Sequence, residues 1–562
     1  MAALSPMLVF AQTASDIEAA GRQVEILQRL EQERTLRDLE EARSRGERVE
    51  GMDTKSLQPK IVVPDLGVPC REIKVLSVNG APNLSDSMRT RITEEFTNRC
   101  LNVGDIERIL AEITRHYIDR GFITTRAYLP PQDLSKGHLE ILVIEGVVDK
   151  ILIQDGDANS VSIGNIFPWV QGGQLNLRDL EQGIDQINRL ASNNATLDIQ
   201  PGAKPGESTV VVRNQPKSPF HLYLSTDNQG SASTGKIQTG ATISADNRLG
   251  LNDLFTFTHR ESTPGDSDRK LSRSDSLSFS VPFGYTTVST AISRTSYVSM
   301  IRVPSGLELV SAGNNKNDSV RIDRVMYRNQ STRASLAASL TAKESKNYLG
   351  NQLLSVSSRK LVVLDLDGSM HTGLFGGVLS LDLGYVRGLN ALGALDDPGN
   401  LPSTLSHAQF AKYKYGIGYT LPLRVFDRDA SFTSQFAGQK SEDVLYGSEQ
   451  ISIGGVYSVR GFVRNTLAGD DGFYWRNEFS VRQPINVAGE TVNGRIYAGY
   501  DYGRVWNLAP NIPEGSMSGM VVGASAKWKG VSVDLFNTRP LMLPDNMTKE
   551  SSQTWFRISF SI

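Results

Sequence analysis

The sequence predicts a transmembrane antiparallel β-barrel of about 16 strands, preceded by two small α+β modules and an N-terminal α-helix. Three observations predict it. From Phe220 onward, apolar and polar residues alternate in one short run after another. The chain ends on such a run, with Phe556, Ile558, Phe560 and Ile562 alternating with Arg557, Ser559 and Ser561. A closing strand of this kind suits a barrel, where it pairs with the first strand and leaves no edge. Ahead of this region, one order of strand and helix signals occurs twice.

Composition sets the outer bounds. Lys and Arg number 59 against 61 Asp and Glu, for a net charge of -2, so there is no global electrostatic case for nucleic acid as a partner. Mean hydropathy is -0.26. No stretch approaches the ~18 apolar residues of a membrane-spanning helix. That excludes a helical membrane protein and leaves a barrel open, because barrel strands alternate.

Leu4 to Ala11 is a short apolar run ending in Ala11-Gln12-Thr13-Ala14. It has the character of a signal-peptide core and cleavage site without the usual basic start. Residues 1–13 are therefore read as a signal-peptide remnant, and export is expected. Residues 14–45 read as a helix, with Val24, Leu27, Leu30, Leu36 and Leu39 at three- or four-residue spacing amid Glu and Arg. Such a helix is a solvated amphipathic or coiled-coil segment, and one so charged also suits a wet polar lumen. Residues 46–69 carry Pro59, Pro64 and Pro69 without periodicity and form a long linker.

The first module spans 70–146. Ile73, Val75 and Val78 open a strand, and helices follow over Asp86–Asn98 and Val103–Arg120. The second helix carries Ile106, Ile109, Leu110, Ile113 and Tyr117 on one stripe. Strands then start near Arg126 and at Leu139, giving the order β-α-α-β-β. The second module spans 147–214. It has a strand at Val148–Ile153, a short helix at Val161–Val170 and a helix at Asn176–Ser192 with Leu180, Ile184, Ile187 and Leu190 inward. Closing strands run over Thr196–Pro201 and Ser208–Arg213.

Cys70 and Cys100 are the two cysteines. In a cytosolic protein they would stay unpaired. In an exported one they would form a disulfide closing a loop of about 30 residues, worth roughly 3–4 kcal/mol on the chain-entropy model. The disulfide is the expectation here.

Residues 219–562 form the barrel. Divided over 16 strands, they leave about twice the ~10 residues a spanning strand needs, and the same arithmetic admits fourteen or eighteen. Leu277, Phe279, Val281 and Phe283 alternate with polar residues, as do Leu379, Leu381, Leu383 and Tyr385. Two motifs stand out inside this region. Val459-Arg460-Gly461-Phe462 lies in a Gly-rich stretch with Gly454 and Gly455. Gly499-Tyr500-Asp501-Tyr502-Gly503 reads as a strand with a carboxylate between two glycines. Glycine allows close backbone approach, and Arg prefers planar pairing with a carboxylate. Together they suggest a long loop that folds inward and pins Arg460 to Asp501.

With these motifs after two such modules, the chain resembles the TpsB transporters of two-partner secretion, in the superfamily of the BamA insertase. The modules resemble POTRA domains. In the first, the matching residues are Cys70, Gly80, Cys100-Leu101, the run from Tyr117 to Ala127, Leu129-Pro130 and Glu145-Gly146. The barrel entrance matches with Asp227-Asn228-x-Gly230, Thr234-Gly235 and Asn247 to Asp253. The resemblance covers residues 70–562, and the N-terminal helix matches the family's plug by position and character. It implies an outer-membrane transporter that passes an unfolded TpsA-type exoprotein (a haemolysin, adhesin or contact-dependent toxin) from periplasm to cell surface without nucleotide. The exoprotein docks on the POTRA-like modules, and the helix leaves the lumen to let it pass. Val459 to Phe462 would be the tip of the inward loop and Gly499, Asp501 and Gly503 its wall partner. Outer-membrane lipid, periplasmic chaperones and the barrel-assembly machinery are the other implied partners, and a monomer is expected. Two positions depart from the family pattern: Ile562 replaces the usual terminal Phe, and Phe462 replaces the Tyr of many relatives.

No phosphate-binding loop, two-His zinc motif or Gly-x-Ser-x-Gly elbow is found, so no enzyme, cofactor or metal is expected. His116 reads as a helix-surface residue, and Asp227 and Asp253 as structural acids at strand ends. The rival reading is an insertase for other barrel proteins. Two modules and a plug-like helix argue against it.

Overall fold

The computed structural model describes residues 54–59, 69–154, 160–266, 268–302, 308–487 and 489–562. The signal remnant, the helix over 14–45 and most of the linker lie outside the described residues.

In the first module two helices pack on a three-stranded sheet. Val75–Asn79 runs parallel to His138–Ile144, which pairs antiparallel with Arg126–Tyr128 on its other side. Ser85 caps the helix Asp86–Phe96 by accepting from the Met88 N–H. Asn102 and Asp105 form a reciprocal capping box at the start of Val103–Asp119. The apolar stripe goes inward as its spacing requires. Ile106, Ile109, Ile113 and Tyr117 are buried against Leu139, Ile141 and Val143, with Leu110 partly buried beside them. The simple β-α-α-β-β order gains one element: a short strand, Arg99–Leu101, pairs antiparallel with Arg71–Ile73. Three-residue strands are too short to show a period. Beside this ladder, Cys70 and Cys100 are joined by a disulfide, with Cα atoms 5.3 Å apart.

The second module repeats the plan. Val147–Gln154 runs parallel to Glu207–Arg213, with Thr196–Pro201 antiparallel on the far side. The helix Leu177–Asn188 buries Leu180 and Ile187 in the core. The helix expected over 161–170 shrinks to one turn, Ile163–Ile166. Pro168 disfavours a helical Phe167, and Trp169 takes a left-handed φ of 62°.

This module is fastened to the end of the barrel at which the chain enters it. Asn252, in the turn before the strand Leu254–Ser262, donates to the Ser162 carbonyl at 3.0 Å and to Asn165 Oδ1 at 2.9 Å, and accepts from the Ser162 N–H at 3.1 Å. Arg189 donates to Ser280 Oγ and to the Asn252 carbonyl, both at 2.7 Å. Tyr285 donates to Asp179 at 2.7 Å, and burial raises the Asp179 carboxyl above its usual range. Arg328 completes the contact with ion pairs to Asp185 at 2.6 Å and Glu181 at 3.4 Å. The linker residues Thr54–Pro59 cross this same corner, where Gln58 donates to Asp119 of the first module at 2.6 Å.

Among the described residues, sixteen long strands close into one antiparallel barrel. The last, Gln553–Ser561, pairs with the first, Phe220–Asp227, from Arg557 opposite Asp227 to Ser561 opposite Tyr223. Ile562 extends the seam by exchanging backbone hydrogen bonds with Leu222 at 3.0 and 3.2 Å. Alternation sorts the two faces. Leu277, Leu383, Ile417, Ile496 and Ile558 stand exposed on the outside. Inside, Arg321 meets Asp367 at 2.8 Å and Lys414 meets Asp365 at 2.6 Å across the polar wall. Asp253 closes a turn by accepting from the N–H groups of Arg248, Leu249 and Leu251, and Asp227 accepts from the Gln229 N–H.

Candidate functional site

Residues 442–470 connect the strand Arg428–Ser441 to the strand Asp471–Val487 at the barrel end away from the two modules, and they do not stay outside. Their base is gathered by Asp470. Its carboxylate accepts from the Leu445 N–H at 2.9 Å, Gln450 Nε2 at 3.0 Å and the Leu508 N–H at 2.9 Å. A small hairpin, Ile451–Ile453 against Leu467–Gly469, then carries the chain inward. At its end, Val459 and Phe462 bury their side chains among Ile453, Leu467, Val505 and Met517. These two apolar residues hold the tip so that Arg460 faces the wall.

Arg460 and Asp501 meet as a bidentate pair. Arg460 Nε donates to Asp501 Oδ2 at 2.7 Å and Nη2 to Oδ1 at 2.8 Å, while the Arg460 N–H donates to Oδ2 at 3.0 Å. Arg460 is 5 % exposed and Asp501 0 %. The remaining guanidinium edge donates from Nη1 to Glu478 Oε2 at 2.6 Å. Glu478 is paired in turn with Arg495, so two carboxylates balance two guanidinium groups. In a shielded site, such a network holds because each charge has a partner, and removing one strands another.

The flanking glycines have steric reasons. Gly499, Asp501 and Gly503 share the inward face, as residues two apart in a strand do. A side chain at Gly499 would meet Arg460 Nη2 at 2.8 Å, and one at Gly503 would meet Val459 at 2.9 Å. Gly461 takes a φ of 131°, a conformation that suits glycine alone. Cys70 and Cys100 lie in the first module, bonded to each other and apart from this loop.

Three further anchors carry no sequence signature of their own. Glu449, on the descending side of the loop, meets Lys343 Nζ at 2.6 Å and Lys412 Nζ at 3.4 Å. Those lysines belong to strands that precede the loop, whereas Asp501 and Glu478 belong to strands that follow it. Glu550 accepts from three successive backbone N–H groups, at 2.9 Å from Val463, 3.1 Å from Arg464 and 2.7 Å from Asn465. Glu478 is the one that register reveals: it stands opposite Gly499 in the ladder, diagonal to Asp501 on the same face. The loop is thus clamped on both sides and at its tip.

A family profile described as haemolysin secretion/activation protein ShlB/FhaC/HecB matches residues 206–526, more than half of the chain. The chain belongs to this family. Profiles for a ShlB-type POTRA domain and a POTRA domain match residues 71–146 and 147–201, which fall within the two modules of this ShlB-type chain. It is 30 % identical over 536 residues to the outer membrane transporter CdiB of Dickeya dadantii, covering 94 % of this chain and 93 % of that one. It is 34 % identical to the hemolysin transporter protein ShlB of Serratia marcescens, covering 82 % and 81 %. The solved structure of CdiB from Escherichia coli superposes with a TM-score of 0.84 at 29 % identity, over 100 % of both chains.

Proposed function

We infer that this chain is an outer-membrane transporter that moves a partner exoprotein from the periplasm to the cell surface. The observation that carries the reading is its family membership together with relatives named as transporters that align over four-fifths or more of both chains. The exoprotein docks on the POTRA domains before it enters the barrel. Support comes from their sheets: Val75–Asn79 pairs on one side within its sheet, as does Val147–Gln154 beyond Val148, whose own outer side is met by Gly172 and Gly173, leaving an edge in each to which an extended chain can add. The Arg460–Asp501 pair serves as a conformational lock rather than a catalytic group. Its charges are engaged with one another, which favours holding the loop over chemistry on a substrate. The chain is no enzyme, and folding of the exoprotein outside supplies the direction. Outer-membrane lipid surrounds the barrel, chaperones and the barrel-assembly machinery insert it, and it works as a monomer.

The test is the culture supernatant of cells with and without this chain. Loss of one large secreted protein with other barrel proteins unchanged is the expected result. A general loss of outer-membrane barrel proteins would instead make the chain an insertase.

A further inference from the structure

The periplasmic rim of the barrel carries exposed aromatic side chains. Phe283 ends the outward row that begins at Leu277, and Phe375 and Phe426 sit at turn tips with 88 % and 95 % of their surface exposed. The second POTRA domain adds one more. Trp169 is 84 % exposed and has a φ of 62°, a conformation costly for a bulky residue. Its backbone is not loose. Phe167 is buried in the core of the domain, Pro168 packs on Gly284 of the barrel, and Gly172 donates to the Val148 carbonyl at 2.7 Å. The direction of the Trp169 ring is therefore built into the fold.

That direction runs along the lipid face. The ring meets Phe283 edge-on, with centroids 5.5 Å apart and planes at 79°. Phe283 belongs to the lipid-facing row, so Trp169 prolongs that row beyond the end of the strand. Arg248, in the turn next along the rim, lies over the Phe220 ring at 5.1 Å and supplies a cation at the same level.

We propose that Trp169 seats the second POTRA domain in the inner leaflet of the outer membrane, its ring at the boundary between phospholipid headgroups and acyl chains. An indole suits that boundary because its body is apolar and its N–H seeks a polar partner. Arg248 suits the phosphates beside it. The proposal rests on outer-membrane location and not on transport, so it stands or falls independently of any secreted partner.

The full chain is reconstituted in phosphatidylethanolamine–phosphatidylglycerol vesicles, with or without bromine on acyl carbons near the ester. Emission is compared between the native chain and Trp169→Phe, a change that keeps an aromatic ring on Phe283. The chain has five tryptophans, and the difference isolates one of them. Heat-shifted gel mobility confirms that both are folded. The expected result is at least a twofold loss of the difference signal with brominated lipid and little loss with aqueous iodide. Quenching by iodide alone places the ring in water and overturns the proposal. Quenching by neither places it against protein, including a second copy of this chain, and overturns it too.

Discussion

Asp501 accepts three hydrogen bonds from Arg460, two from the guanidinium and one from the backbone N–H of the same residue. Arg460→Asp and Asp501→Arg should each impair secretion, because each leaves a shielded charge facing its like, a loss of about 3–5 kcal/mol. The double exchange should recover only part. An Asp at 460 faces Glu478, and an Arg at 501 cannot accept from the backbone N–H. Secreted exoprotein measured by immunoblot decides it. Equal loss in all three variants would argue against a direct pair.

Glu449→Gln should loosen the other side of the loop. It leaves Lys343 and Lys412 facing a neutral group, and Lys412 is nearly buried. A cost of about 3 kcal/mol is expected. Planar-bilayer recordings should show larger or more frequent openings than the native chain. Unchanged recordings would mean that the lock on Asp501 alone holds the loop.

Gly519→Ala tests the steric fit of the tip. A side chain there would lie 1.8 Å from the Arg460 carbonyl oxygen, so the loop must back away. Secretion should fall about tenfold, the equivalent of ~1.4 kcal/mol. Gly399→Ala, with open space around it, should have no effect.

Cys70→Ser with Cys100→Ser removes the disulfide while leaving the barrel intact. The first POTRA domain should lose roughly 3–4 kcal/mol on the chain-entropy model. Limited proteolysis of the full chain should cut within 70–146 at lower protease concentration. An unchanged cleavage pattern would show that the helix–sheet core suffices.

Asn252→Ala removes three hydrogen bonds between the barrel and the second POTRA domain, each worth about 1 kcal/mol. Spin labels on the domain and on the barrel should report a broader distance distribution than in the native chain. A distribution as narrow as the native one would assign the fastening to Arg189 and Arg328 instead.

The long elements were legible because their patterns repeat. The barrel declares itself by alternation carried to Ile562, and the module cores by stripes such as Ile106 to Tyr117. Arg460 and Asp501 were legible through the glycines around them, which mark close approach. Glu449 and Glu550 were not. Each is a lone acid in an irregular segment, and its partners exist only after the loop has folded in. The sequence around Ile163–Ile166 reads as a longer helix because the apolar run continues through Pro168, which ends the helix. The ladder of Arg71–Ile73 and Arg99–Leu101 is too brief to carry a period.

The hydrogen bond from Gln58 to Asp119 has a consequence for whatever precedes it in the chain. If the helix expected over 14–45 fills the lumen at rest, this anchor would leash it near the barrel, so leaving the lumen would not carry it away. Its return would be an intramolecular event, with an effective concentration on the order of millimolar for a short flexible tether. Re-closure after each passage would then require no search and no second molecule. A transporter tethered in this way would reset itself.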